Sequence, residues 1–298
     1  MLAASRGVTY VNEPLNTARR PAFLDPLPRY RFPYLTEDDD TFECAFQNLV
    51  ALRYPVRAAL RTLSSPRDVL RLAKYWTSFA WGRQSGRRAL LKDPYAVLSA
   101  RWFARLGCRV VLTVRHPAAI VSSRIRLGWK IDFRDFLDQG ALMRDWLEPF
   151  RGDLETALEK PDDGIFHGCL LWRVIYSVAA GFRQLYPEFL VVRHEDLSRD
   201  PLEGYRALYA RLELPFTDEA RSTIEASSRA ENRDELSLAD PHGVRLDSLS
   251  NLSNWTRRLD RDQIERIRRL TDDVWPLFYD EQDWEPGTPQ AAGFRHSP

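Results

Sequence analysis

The chain has 298 residues, 44% hydrophobic and 29% charged, enough for a sizeable core under a soluble surface. Its 43 basic and 42 acidic residues leave a net charge of +1, which argues against a duplex-coating nucleic-acid binder with its basic excess. Cys44, Cys108 and Cys169 are too scattered for a disulfide framework, and no Cys/His pair has zinc-ligand spacing. A reducing, cytoplasmic setting is therefore expected.

Val8 to Val11 (VTYV) predicts a short strand, followed by Glu13-Pro14 and an extended, Pro/Arg-rich stretch to about residue 36. Acidic residues 37–40 read as a helix entry, with helix over 42–60 and again from Pro66 to Phe79. Arg88 to Lys92 (RALLK) reads as a strand ending in Asp93-Pro94, with a helix over 96–106. Val110 to Val114 is an apolar run closed by Arg115. His116-Pro117 then turns it into a helix carrying Ser123, since proline is pre-organised for the first helical position. Helices over 133–147 and 166–186, a strand over 189–193, and helices over 200–212, 217–228 and 260–274 complete the expected order. The apolar stretch Cys169 to Phe182, interrupted by Arg173, is too short to span a bilayer, so no membrane span is expected. MLAASRGVTYV lacks the apolar core of a signal peptide. Residues 1–284 are expected to form one domain, and the Pro/Gly-rich 285–298 a flexible tail.

Short apolar strands alternating with helices predict a three-layer α/β/α domain around a central parallel sheet. Ligands in such folds bind beyond the carboxyl ends of the strands. Glu13, Lys92 and Arg115 all stand at such ends. Arg115 adds a permanent planar charge suited to phosphate, the following helix offers free N–H groups and its dipole, and Ser123 adds a hydroxyl. An arginine closing a strand before proline also occurs without any ligand, so this segment alone leaves both readings open.

Arg115 precedes Ser123 by eight positions, the spacing with which sulfotransferases hold the 3′-phosphate of 3′-phosphoadenosine 5′-phosphosulfate. EPLN (Glu13 to Asn16), LLKDP (Leu90 to Pro94), VVRHEDLSRDP (Val191 to Pro201), NWTRRLD (Asn254 to Asp260) and VWPLFYD (Val274 to Asp280) stand in that family's order. Nearly the whole chain thus resembles the sulfotransferases that use this donor, in particular bacterial members with carbohydrate, lipid or small-molecule acceptors.

The resemblance implies a P-loop NTPase-like fold and transfer of a sulfuryl group from that co-substrate to a hydroxyl or amine, without a metal. It makes Glu13 the general base and puts Lys92 beside the bridging oxygen of the leaving diphosphate. It puts Arg115 and Ser123 on the 3′-phosphate, and Arg193 and His194 at or beside the adenine. Arg245 and Ser248 become candidate phosphate contacts in the loop 245–255. The position of the histidine base used by the small-phenol branch is Pro94 here, which cannot act. The loop that cradles the 5′-phosphosulfate in this family is not recognisable before VTYV, which implies a native N-terminus longer than Met1. GRQSGRR (Gly82 to Arg87) is no substitute, because it precedes a strand rather than following one. The competing expectation is a catalytically incomplete nucleotide-binding protein of the same fold. Residues 20–85 and 125–165 are expected to line the acceptor pocket, and the oligomeric state is left open.

Overall fold

A computed structural model describes residues 1–235 and 246–285. The chain divides into two compact units, Leu2–Val110 and Val111–Pro298, the latter with Met1.

In the N-terminal unit, β1 (Val8–Asn12) pairs in parallel with β2 (Arg88–Lys92), with Tyr10 opposite Leu90 and Asn12 opposite Lys92. Between them run α1 (Glu43–Val50), α2 (Val56–Arg61) and α3 (Pro66–Gln84), and α4 (Ala100–Arg105) follows β2. The single helix expected over 42–60 is two helices. Leu52 takes a left-handed φ of 52°, and Pro55 disfavours helical backbone at Tyr54. Gly82 lies in the last turn of α3, where a Cβ would lie 2.0 Å from the Thr9 hydroxyl, so only glycine lets α3 approach β1 there. Val11, Leu15, Phe23, Phe46, Phe79 and Trp102 form the core of this unit. Each large side chain so buried stabilises by about 1.5–3 kcal/mol. Trp76 and Trp81 on α3 are exposed.

In the C-terminal unit, β3 (Val111–Val114) pairs in parallel with β4 (Leu190–Arg193), and Val114 stands opposite Arg193. Helix α5 (Pro117–Leu127) begins directly after His116 and ends at Gly128, whose left-handed φ of 63° suits a glycine C-cap. The helix expected over 133–147 is broken into α6 (Arg134–Leu137), α7 (Gly140–Leu142) and a π-turn over Met143–Leu147. Pro149 lies in the 3-10 turn that separates these from α8 (Arg151–Glu159). Helix α9 (Gly164–Leu185) is capped by the Asp163 carboxylate accepting the Phe166 N–H. Its 22 residues are long and apolar enough to cross a membrane by length and composition, although the apolar stretch Cys169 to Phe182 within it is shorter than a span. Here it runs through the unit's core, with Cys169, Trp172, Val174, Val178 and Phe182 buried. Gly168 lets α9 press on α5, since a Cβ there would lie 3.0 Å from a Val121 methyl.

After β4 come α10 (His194–Arg199), α11 (Pro201–Arg211) and α12 (Asp218–Ser228). The short α13 (Ser250–Ser253) and α14 (Arg261–Leu270) follow, the latter started by a reciprocal capping box between Asp260 and Gln263. Among the described residues the four strands thus form two separate two-stranded parallel sheets, one in each unit, in a predominantly helical α/β chain.

Candidate active site

The carboxyl ends of both strand pairs carry the chemistry-bearing side chains. In the N-terminal unit, β1 ends at Glu13, whose N–H donates to the Lys92 carbonyl at 2.7 Å and so extends the ladder by one bond. Glu13 then takes a left-handed φ of 53°. That turn brings its carboxylate to Lys92 Nζ at 2.6 Å and to the Asn16 side-chain amide at 2.8 Å. Partial burial favours the neutral acid, but the bonds from Lys92 and Asn16 outweigh it and hold Glu13 below the usual carboxylate range. Glu13 is therefore an ionised acceptor at neutral pH.

Asp93 fixes this turn. One of its oxygens accepts the Leu15 N–H at 2.6 Å and the other the Tyr95 N–H at 2.9 Å. Burial raises Asp93 to about 6 against the pull of those two N–H groups. The K-D-P triplet marked this strand end in the sequence, but nothing local in it identified Asp93 as the clamp on the Glu13 turn.

In the C-terminal unit, Arg115 leaves β3 and His194 leaves β4, each one residue past the paired positions Val114 and Arg193. The Arg115 guanidinium is half-buried and donates to Asn251 Oδ1 at 3.3 Å. Among the described residues no carboxylate lies within ion-pair distance of it. Burial lowers its pKa, with Arg258 adding to that effect and Glu195 opposing it. Ser123 stands half-buried on α5, and its hydroxyl makes no hydrogen bond among the described residues. Its neighbour Ser122 accepts from Arg258 Nη1 at 3.3 Å.

The turn carrying Arg115 is locked from the other strand. Glu195, on the first turn of α10, accepts the His116 N–H at 2.9 Å and the Tyr279 hydroxyl at 2.9 Å. Burial would raise Glu195, but the facing imidazoles and the His116 N–H hold it below the ordinary range. Trp172 adds a second clamp, its indole N–H donating to the Arg115 carbonyl at 2.8 Å.

The other expected site residues have different surroundings. Arg193 is committed internally: it pairs with Asp283, lies 3.8 Å from Asp196, and sits 4.5 Å over the Tyr279 ring. His194 shares a 3.4 Å contact with the Ser198 hydroxyl. Burial first, then the Arg115 charge, press its pKa to about 4, so the ring is neutral at pH 7. Ser248 donates to the Ser228 carbonyl at 3.3 Å. Arg245 lies outside the described residues. Trp255 is buried and stacks on His116, with centroids 5.1 Å apart and planes at 18°, which makes it a core side chain.

Two residues here escaped sequence reasoning. Asn251 meets Arg115, and Arg258 reaches Ser122 and pairs with Glu235 at 2.6 Å. NWTRRLD sets Arg257 and Arg258 side by side, and adjacency alone does not say which member turns inward. Arg257 pairs with Asp234 at an exposed position. Arg115 lies close enough to Arg258 to feel its charge, and Arg258 reaches the hydroxyl of Ser122 rather than that of Ser123. Two guanidinium groups beside a hydroxyl suit a compact dianion such as a phosphate monoester. Among the described residues no group of three or more His, Cys, Asp or Glu is placed to hold a metal ion.

No family model matches the chain, and no solved structure matches it. It is similar to carbohydrate sulfotransferase 1 of Danio rerio, with 28% identity over 185 residues, 60% of this chain and 37% of that protein. It is also similar to carbohydrate sulfotransferase 3 of Mus musculus, 27% identical over 158 residues that cover 51% of this chain and 29% of that protein. The human counterpart is 27% identical over 134 residues, 42% of this chain and 24% of that protein. The chain thus spans well under half the length of these relatives.

Proposed function

We propose that this protein transfers a sulfuryl group from 3′-phosphoadenosine 5′-phosphosulfate to a hydroxyl of a carbohydrate acceptor. The observation that carries the reading is the half-buried Arg115 guanidinium, which has no described carboxylate within ion-pair distance, on a turn fixed by Glu195 and Trp172. A cation held that way favours a bound anion over an empty site, because its desolvation is otherwise uncompensated. The similarity to carbohydrate sulfotransferases supports both the reaction and the acceptor class.

Arg115, Arg258 and Ser123 hold the donor's 3′-phosphate in this reading, and neutral His194 lies beside the nucleoside. The donor supplies an activated S–O bond. The acceptor oxygen forms the new S–O bond as the bond to the diphosphate breaks, and the hydroxyl proton passes to Glu13. Lys92 stabilises charge on the departing oxygen. Ion-paired Glu13 accepts the proton, and fixed cations and N–H donors meet the charge of the transferred group, so no metal is needed in this scheme. The helical crossovers between parallel strands support a P-loop NTPase-like fold, and the three free cysteines support action in the cytoplasm.

Thermal shift with 3′,5′-diphosphoadenosine, against ATP with Mg²⁺, tests the site. Selective stabilisation, about 2.7 kcal/mol at a hundredfold excess over Kd, supports it, and none overturns it. Transfer of labelled sulfate to neutral and charged oligosaccharides then separates an enzyme from a nucleotide-binding protein.

A further inference from the structure

Just past Glu13 the chain turns on Asn16, whose carbonyl accepts the Arg19 N–H at 3.0 Å. Arg19 is thereby laid on an aromatic shelf. Its guanidinium carbon lies 4.8 Å from the Phe23 ring centre and 5.0 Å from that of Tyr75, and its Nη2 donates to the Tyr75 hydroxyl. Tyr54 stacks on Tyr75, with centroids 6.4 Å apart and planes at 14°, and meets Phe23 and Phe79 edge-on.

Some arginines of this unit are neutralised, Arg61 by Asp25, Arg71 by Asp68 and Arg105 by Glu43. Arg19 is different. Among the described residues no carboxylate lies within ion-pair distance of it. Two buried donors of the shelf, Arg19 Nε–H and the Tyr54 hydroxyl, have no acceptor. Burial, offset by Arg19 and aided by Tyr75, pushes the Tyr54 hydroxyl up to about 12, so it remains a donor. Arg19 is close enough for its charge to be felt at Glu13 and at Tyr10.

The surrounding segment has the same sign. Residues 14–35 hold Arg19, Arg20, Arg29 and Arg31 against one acid, Asp25, which Arg61 already occupies. Arg29 lies over Tyr30 at 5.2 Å and Arg31 over Tyr95 at 5.4 Å. Tyr95 is fixed by the same Asp93 that fixes the Glu13 turn. A guanidinium stacked on two rings has lost most of its freedom before any ligand arrives, and its planar donors match a carboxylate or sulfate.

We propose that Arg19 and its shelf of Phe23, Tyr54 and Tyr75 form an acceptor subsite for a carbohydrate bearing a carboxylate or sulfate near the reacting hydroxyl. The placement of that hydroxyl at Glu13 rests on the transfer reaction proposed above. The anion subsite rests on the geometry of the N-terminal unit. Arg19 here is a specificity-determining residue, and a neutral sugar leaves its charge unmatched.

The test uses the full chain without nucleotide and three oligosaccharides of one backbone: uronate-bearing, carboxyl-reduced, and reduced but sulfated. Calorimetry is expected to show the wild type binding a charged form about 10- to 100-fold more tightly than the neutral one. Preference for the uronate or for the sulfate ester tells which anion is recognised. Arg19→Gln is expected to remove that preference, and Arg19→Lys to restore part of it. Equal binding of charged and neutral forms by the wild type overturns the proposal, and so does an undiminished preference in a folded Arg19→Gln protein. Stabilisation by 3′,5′-diphosphoadenosine, measured alongside, reports on Arg115 and not on Arg19. Its failure with charged-sugar preference intact refutes the transfer reading alone, and the reverse pattern refutes this one alone.

Discussion

Lys92, the register partner of Asn12, donates from Nζ to Glu13 Oε1 at 2.6 Å, so the two candidate reacting groups of the N-terminal unit form a ready-made ion pair. The pair keeps Glu13 ionised, the form the proposed reaction needs of its base. It also couples the two residues, so their deletions will not add.

Glu13→Gln is expected to lower turnover by about 10²–10⁴-fold while leaving nucleotide affinity in place. Lys92 and Asn16 hold Glu13 below the usual range, so activity should fall on the acid side only below about pH 4.5. Lys92→Met removes a hydrogen bond to the carboxylate and should move that acid limb to higher pH. Steady-state rates against pH check both, and an unchanged Glu13→Gln rate removes this residue from the mechanism.

Arg115→Gln and Arg258→Gln should each weaken 3′,5′-diphosphoadenosine binding, Arg115→Gln by about 2–5 kcal/mol as a partly buried charge pair is broken. Arg193→Gln should behave differently. Its guanidinium is held by Asp283, so the change leaves a buried carboxylate unpaired and lowers the melting temperature more than it lowers nucleotide affinity. Calorimetric titration and thermal melts of the three variants separate binding from architecture.

His116 is buried with both ring nitrogens lacking a hydrogen-bond partner, against Trp255, Tyr279 and Trp284. Burial presses it and His194 from 6.5 to about 4. The unfolded chain then binds more protons between those values, so stability is full above about pH 6.5 and is lost as pH falls towards 4. His116→Phe replaces an unsatisfied polar ring by an apolar one. It should change stability at pH 7 by about 1 kcal/mol or less and make the acid decline shallower. Urea midpoints between pH 4 and 7 test this, and an equally steep decline in the variant would exclude His116 as a contributor.

Gly168→Val forces a side chain into the 3.0 Å space before Val121, and overpacking of this kind costs about 1–3 kcal/mol. Val121 immediately precedes Ser122 and Ser123, so nucleotide affinity should fall together with the melting temperature. Gly168→Ala should show the same effects in weaker form.

Much of this molecule is written locally. The strands at Val8, Arg88, Val111 and Leu190 announce themselves as short apolar runs with charged ends. Pro117 starts α5 where a proline is expected to, and the strand-end residues Glu13, Lys92 and Arg115 followed from those runs. These signals are legible because strand and helix starts depend on neighbours a few residues away.

Which arginine is left to meet a ligand is not a local property. Arg193 finds Asp283 across 90 residues, while Arg115 finds Asn251 and Arg258 finds Ser122 across 136. Arg19 and Arg61 are alike in sequence, yet packing gives one a carboxylate and lays the other on aromatic rings. The composition fixes that charges nearly cancel over the chain. Only the tertiary structure decides where a cation stays uncompensated, because that depends on which side chains the fold brings within a few ångströms.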